Sequence, residues 1–197
     1  MSREDAKAIF SELKTQVIIL GGIAAFMWCL EIVDLFFLRG ALNIYGIMPR
    51  TEIGLRGILF APFLHGDLFH LAANTLPFLT LGWLIMLRET RDFFIVSGIT
   101  MLVSGLGVWL TAPSNSVHIG ASGLIFGYLG FLLLRGFFER SFVSIALSLI
   151  VGFFYGGAIW GVLPSHPAIS WQGHLFGFIG GAIAARLLSK PKRSYNA

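Results

Sequence analysis

Charge is scarce in this chain. Asp, Glu, Lys and Arg make up 12% of its 197 residues, about half the share of a water-soluble domain. With 56% apolar residues and a mean hydropathy of +0.80, too little polar sequence remains to wrap a core, so lipid must be the outer solvent. Cysteine is almost absent: Cys29 is alone, which excludes an internal disulfide and leaves the redox compartment open. There is no His-Glu-x-x-His and no cysteine cluster, so neither a metal nor any other cofactor is expected. Low-complexity segments and internal repeats are also missing. No cleavable leader is read, because the first apolar run follows a charged stretch and is too long for a signal core; it reads as a retained anchor. The pI near 9.6 is not a nucleic-acid signal. The basic residues sit in short clusters between apolar runs and form no solvated basic face, so nucleic acid is not an expected partner.

What is abundant is apolar runs of membrane length. The sequence predicts an all-α membrane protein, a bundle of six transmembrane helices over residues 17–38, 68–87, 93–110, 120–134, 142–163 and 173–188. A further piece, 57–64, is too short to cross and reads as re-entrant or interfacial, with its backbone covered by protein. Residues 1–16 form a charged N-terminal segment whose Ala6, Ile9, Phe10 and Leu13 recur at helical spacing, suited to the membrane surface. Residues 17–189 make the membrane domain and 190–197 a basic tail. Six crossings put both termini on one side. That side holds Arg3, Lys7, Lys14, Arg88, Arg91, Arg135, Arg140, Arg186, Lys190, Lys192 and Arg193, eleven of the fourteen cationic residues. The other side holds only Arg39, Arg50 and Arg56. The positive-inside rule therefore places both termini in the cytoplasm of a multi-pass cell-membrane protein; the short loops lean towards a prokaryotic plasma membrane.

Polar groups inside a membrane are costly, and each asks for a reason. His70 and Asn74 open the second span, Ser122 the fourth and His174 the sixth. All three spans run inward, so these groups share a shallow depth at the non-cytoplasmic side, where one water-filled cavity can hold them. Gly120-Ala121-Ser122-Gly123 sets a serine between small residues at a helix start, where free N–H groups can stabilise an oxyanion. The same glycines, with Gly127 and Gly130, also read as a close-packing face; the two readings are compatible. His174 shares a face with Gly177 and Gly181. Packing of that face on the glycines of the fourth span brings an imidazole base towards a serine that needs one. His70 and Asn74 lie four apart on one face, and both carry donors; they suit an oxyanion or, equally, interhelical hydrogen bonds.

No acid lies near Ser122 or His174 in sequence. Glu31 and Asp34 sit in the first span, and no third triad member is assigned to them. Phe126, one turn below Ser122, is placed to pack on the histidine ring and orient it. His65 falls off the face of His70 and Asn74 and reads as interfacial. His118 and His166, in outer loops, carry no signal.

Three motifs together, His70-x-x-x-Asn74, Gly120-x-Ser122-Gly123 and Gly173-His174-x-x-Gly177-x-x-x-Gly181, resemble the rhomboid family of intramembrane serine proteases over about residues 43–188. The resemblance implies a six-helix bundle with Ser122 as nucleophile and His174 as general base. It implies His70, Asn74 and the Ser122 N–H as oxyanion donors, and Phe126 as the aromatic stacked on the histidine, with Gly120, Gly123 and Gly177 supporting the pair. Substrates would be transmembrane segments of other proteins, cut near the outer leaflet. Residues 39–56 would be a loop lying partly in the membrane, 164–172 a cap over the site, and the fifth span the element that flexes. The Trp-Arg pair that some relatives carry in the first loop is missing here. Two other readings compete. Inactive relatives bind membrane proteins without cutting them, but they usually lack the serine or the histidine. A small transporter would place its polar groups near the midplane, not at the outer ends.

Overall fold

The computed structural model describes residues 2–164 and 169–189. His166, part of the expected cap and the basic tail 190–197 lie outside them. Among the described residues the chain is helical, with one isolated antiparallel bridge between Ile47 and His118. The α-helices are α1 (Arg3–Val33), α2 (Gly57–Phe60), α3 (Leu68–Met86), α4 (Thr90–Thr111), α5 (Ser122–Glu139), α6 (Phe142–Tyr155) and α7 (Trp171–Leu188). Five stretches are long and apolar enough to cross a membrane: Arg3–Leu38, Leu68–Met86, Thr90–Thr111, Ser122–Glu139 and Phe142–Val162. The expected sixth, α7, is not among them. It packs against α4 and α5, and its buried residues are chiefly Gly173, Gly177, Gly180, Gly181, Ala184 and Ala185. Small residues that face protein, not lipid, lower hydropathy without loss of packing.

Several boundaries differ from those read in the sequence. The N-terminal segment is continuous with the first span: α1 runs unbroken from Arg3, started by Ser2 and Asp5 in a reciprocal capping box. Its polar stretch is used, because Gln16 donates to the Met86 carbonyl at 3.2 Å and accepts from Trp83 Nε1 at 3.1 Å. The fourth span starts at Ser122, not at 120, because Gly120 takes a left-handed φ of +112° that no α-helix contains. It also ends later, at Glu139, whose carboxylate binds Arg88 and Arg135. Arg88 also donates to the Leu188 carbonyl at 3.2 Å, so one cluster ties α5 and α7 to the α3–α4 hairpin at the end opposite Ser122. The fifth span tightens after Tyr155 into a 3₁₀ turn, Gly156–Val162.

The core lies around α5. The hydrophobic window of α5 is 61% buried and that of α6–Val162 only 11%, which makes α5 the axis and α6 a peripheral element. Phe78, Phe93 and Tyr128 meet there as a ring cluster with centroids 5.7–6.2 Å apart. The α5–α7 contact is backbone on backbone. A Cβ on Gly177 would strike the Gly123 carbonyl, one on Gly181 the Gly127 carbonyl, and one on Gly130 would come 2.5 Å from the Phe178 carbonyl. The expected glycine-on-glycine packing of these two helices is therefore present.

The stretch between α1 and α3 folds as short 3₁₀ and α turns tied to the bundle. Asp34 accepts from the Leu42 N–H at 2.9 Å. Arg56 lies 4.4 Å from the Tyr45 ring centroid and donates to the Ile44 carbonyl. Trp109 Nε1 donates to the Thr51 carbonyl, and Arg50 reaches Ser114 and the Leu110 carbonyl. These contacts hold the loop in place of a Trp-Arg pair.

Candidate functional site

Ser122 is the first residue of α5, and α5 has no capping side chain. Its first-turn N–H groups therefore remain available to an incoming acceptor. The segment leading to it is fixed residue by residue. His118 exchanges backbone hydrogen bonds with Ile47 at 2.9 and 3.0 Å, Gly120 N donates to the Ala61 carbonyl at 2.8 Å, and Ala121 N faces His65 Nε2 at 3.4 Å.

His174 stands in the first turn of α7, 8% exposed. Its Nδ1 lies 2.8 Å from the Gly161 carbonyl. A carbonyl only accepts, so Nδ1 carries the hydrogen, and the neutral ring keeps its lone pair on Nε2. The Phe126 ring stacks on the imidazole, with centroids 4.0 Å apart and planes 6° from parallel. A Cβ on Gly161 would lie 2.7 Å from Phe126 Cζ, so this glycine lets the 3₁₀ turn close over the stack. The peptide carbonyl of Gly161 thus sets the hydrogen of the ring on Nδ1, and no sequence signal pointed to it.

His70 and Asn74 project from α3 to the space over Gly120. A Cβ placed there would lie 2.8 Å from His70 Nε2 and 3.7 Å from Asn74 Nδ2. Asn74 Nδ2 is buried and has no partner, an expensive state for a donor unless a ligand satisfies it. Ser122, His70, Asn74, His174, Phe126, Gly120, Gly123 and Gly177 are thus brought to one region. Beside Ser122, between α4, α5 and the turn around Ala61, lies a small cavity of about 40 Å³ with Ser104, His118, Gly120, Ser122, Ser170 and Gly173 in its wall, room for about three waters at ~10–15 Å³ each.

Two histidines differ from their sequence reading, His65 in its position and His118, which is in its expected loop, in having partners. His65 is not interfacial: it is 1% exposed, because the turn before α3 folds its ring inward beside His70, with centroids 5.1 Å apart. Burial pushes its imidazole down to about 4. His118 is not idle either. Its ring bridges two serines, Nε2 lying 2.8 Å from Ser116 Oγ and Nδ1 2.7 Å from Ser170 Oγ. The Ser-x-His spacing and Ser170 before an apolar helix were visible, but their meeting depends on tertiary structure. Glu31 and Asp34 are buried in and just after α1; Asp34 serves the Leu42 N–H. Among the described residues no group of three His, Cys, Asp or Glu converges as metal ligands.

Comparison with known proteins follows this geometry. Residues 54–191 match the family described as Rhomboid domain. An uncharacterized protein of Mycobacterium tuberculosis is 43% identical over 182 residues, covering 88% of this chain and 75% of its own length. RHOMBOID-like protein 4 of Arabidopsis thaliana is 32% identical over 159 residues, 76% of this chain and 37% of its own. Rhomboid protease GluP of Bacillus subtilis is 32% identical over 136 residues, 66% of this chain and 25% of its own. With the family matched across most of its length, this helical membrane chain belongs to the rhomboid family.

Proposed function

We propose that the protein is an intramembrane serine endopeptidase that hydrolyses peptide bonds in or near transmembrane segments of other membrane proteins. The observation that carries this reading is the fixed state of His174. Its Nδ1–H is committed to Gly161 and its face to Phe126, which leaves Nε2 as a base at the start of the helix packed on α5 beside Ser122. Ser122 Oγ attacks the scissile carbonyl carbon as its proton passes to Nε2. The new oxyanion is met by Asn74 Nδ2, the His70 ring and the Ser122 N–H, all positioned before substrate arrives. His174 then returns the proton to the leaving amine. Water from the cavity beside Ser122 hydrolyses the acyl-enzyme by the reverse transfers. No metal or other cofactor enters these steps.

Six crossings, with α7 as the sixth, place both termini in the cytoplasm and the serine at the outer side of the membrane. A helical substrate hides its carbonyls in hydrogen bonds and must unwind locally, so segments weakened by Gly, Pro or small polar residues are the expected substrates. Labelling with a fluorophosphonate tests the chemistry without a known substrate. The reading expects covalent modification at Ser122 in the wild type and loss of it in His174→Ala. Modification that persists at the wild-type rate in a folded His174→Ala variant contradicts the dyad. A wild type inert to both the probe and helix-destabilised substrates favours a non-catalytic binder of membrane proteins.

A further inference from the structure

The α5–α7 glycine contact fixes the spacing of the two helices from Gly123 and Gly177 inward. The first turn of α7, where His174 sits, is also tied to α4, with Ser104 Oγ donating to the Gly173 carbonyl at 2.9 Å, and to α5 through the Phe126 stack; its N–H groups need a partner of their own. Helix ends fray unless their N–H groups are capped. The cap here is Ser170, whose Oγ accepts from the Gly173 N–H at 3.4 Å and whose carbonyl accepts from the His174 N–H at 3.1 Å. The cap itself is held from outside α7, by His118.

The directions of these bonds follow from donor counting. Ser116 Oγ lies 2.6 Å from the Pro113 carbonyl and gives it its one hydrogen. It must therefore accept from His118 Nε2–H. That leaves His118 Nδ1 as the acceptor, so Ser170 Oγ–H donates to it. Ser170 Oγ is then free to accept from Gly173 N–H. Each donor and acceptor in the chain Pro113–Ser116–His118–Ser170–Gly173 is used, and of the two neutral tautomers only the one with its hydrogen on Nε2 fits. Burial pushes the ring below its usual range, in keeping with that neutral form. The backbone of His118 is itself bridged to Ile47, and two residues further on the chain reaches Gly120 and then Ser122.

We propose that His118 is a positioning residue for the reaction: it clamps the capping serine of α7, and through it the turn bearing His174, to the segment that delivers Ser122. The inference rests on the serine-protease reading for its kinetic consequence, but not for its structural one. The clamp joins the two catalytic helices at their outer ends, where neither the glycine contact nor the cluster of Arg88, Arg135 and Glu139 acts.

The test uses the full chain, four single variants and the His118→Phe/Ser170→Ala double variant. His118→Phe keeps a ring in the half-buried position and removes both bonds. His118→Gln restores an acceptor and a donor on one terminal group. Ser170→Ala removes the cap, and Ser116→Ala removes only the outer anchor. Two quantities are read: hydrogen exchange of the amides at residues 171–175, and kcat and KM on a transmembrane substrate alongside fluorophosphonate labelling. We expect His118→Phe to speed exchange in the first turn of α7. It should also lower kcat and labelling about tenfold, the loss of one to two buried hydrogen bonds, with KM unchanged. His118→Gln should recover most of that loss. His118→Phe should add little to Ser170→Ala, because both break one chain of bonds. Wild-type exchange and labelling in a folded His118→Phe overturn the proposal, as do losses that multiply in the double variant. If His118→Phe does not fold, Ser116→Ala carries the test: faster exchange at 171–175 supports the clamp and unchanged exchange overturns it. If wild-type protein takes no label at Ser122, the protease reading fails, and exchange alone decides the clamp.

Discussion

Phe126 and Gly161 hold the His174 ring from one face and one edge, and neither is a charged group. Such a pair orients an imidazole without the desolvation cost of a buried carboxylate. Aromatic stacking contributes about 0.5–1.5 kcal/mol, so Phe126→Leu should slow fluorophosphonate labelling of Ser122 about three- to tenfold without unfolding the protein. An unchanged labelling rate would remove Phe126 from the account. His65 makes a second prediction at this scale. Its folded imidazole is pushed down to about 4 from a usual value of 6.5, with burial the main cause and the facing His70 a lesser one; nearby Asp67 opposes the shift. The unfolded chain therefore binds the proton first as pH falls. Stability is complete above about pH 6.5 and is lost progressively towards pH 4, a window that the half-buried His118 shares in direction. Melting temperature in detergent should drop across that window, and His65→Gln should flatten the drop; a flat wild-type curve contradicts it. Ser122, His174, His70, Asn74 and Phe126 could be singled out in sequence as candidates that meet at one place, because residue type, spacing and common depth coincide. Gly161 was not, since a backbone carbonyl leaves no trace in residue identity. His118 was not, since its serines lie on two loops that only the fold brings together.

Among the elements, α5 and α7 are held by backbone contact, which leaves no room for a methyl group at Gly177 or Gly181. Gly181→Ala drives a Cβ into the Gly127 carbonyl and to 2.7 Å from Phe131 N. Overpacking of this kind costs about 1–3 kcal/mol and should part the helices enough to lower labelling at Ser122. Gly98→Ala in α4 is the control. Its Cβ meets nothing within 4 Å, and the substitution should stabilise by up to about 1 kcal/mol. Equal effects of the two variants in an unfolding titration would contradict the contact. Helix identities were legible because apolar runs and turn residues alternate plainly along the chain. Boundaries were less so. The start of α5 depends on the left-handed Gly120, and the unbroken α1 depends on Gln16 finding partners on Trp83 and Met86. The modest hydropathy of α7 has the same origin as its packing: a helix that faces protein on several sides spends its sequence on small residues.

For the whole molecule, the charge asymmetry and the cluster of Arg88, Arg135, Asp92 and Glu139 mark one end, and the candidate site around Ser122 and His174 marks the other. Orientation is tested in a Cys29→Ser background with single cysteines at exposed positions. Arg91→Cys, in the α3–α4 hairpin, should react only with a reagent that reaches the cytoplasm. Val117→Cys, 48% exposed in the loop before Ser122, should react from outside. The reverse pattern contradicts the topology. The central claim is that Ser122 and His174 cut peptide bonds, and cleavage of a labelled transmembrane substrate in proteoliposomes tests it most directly, comparing wild type with Ser122→Ala and His174→Ala. The account predicts cleavage by the wild type and none above background by either folded variant. Continued cleavage by a folded Ser122→Ala variant would contradict it.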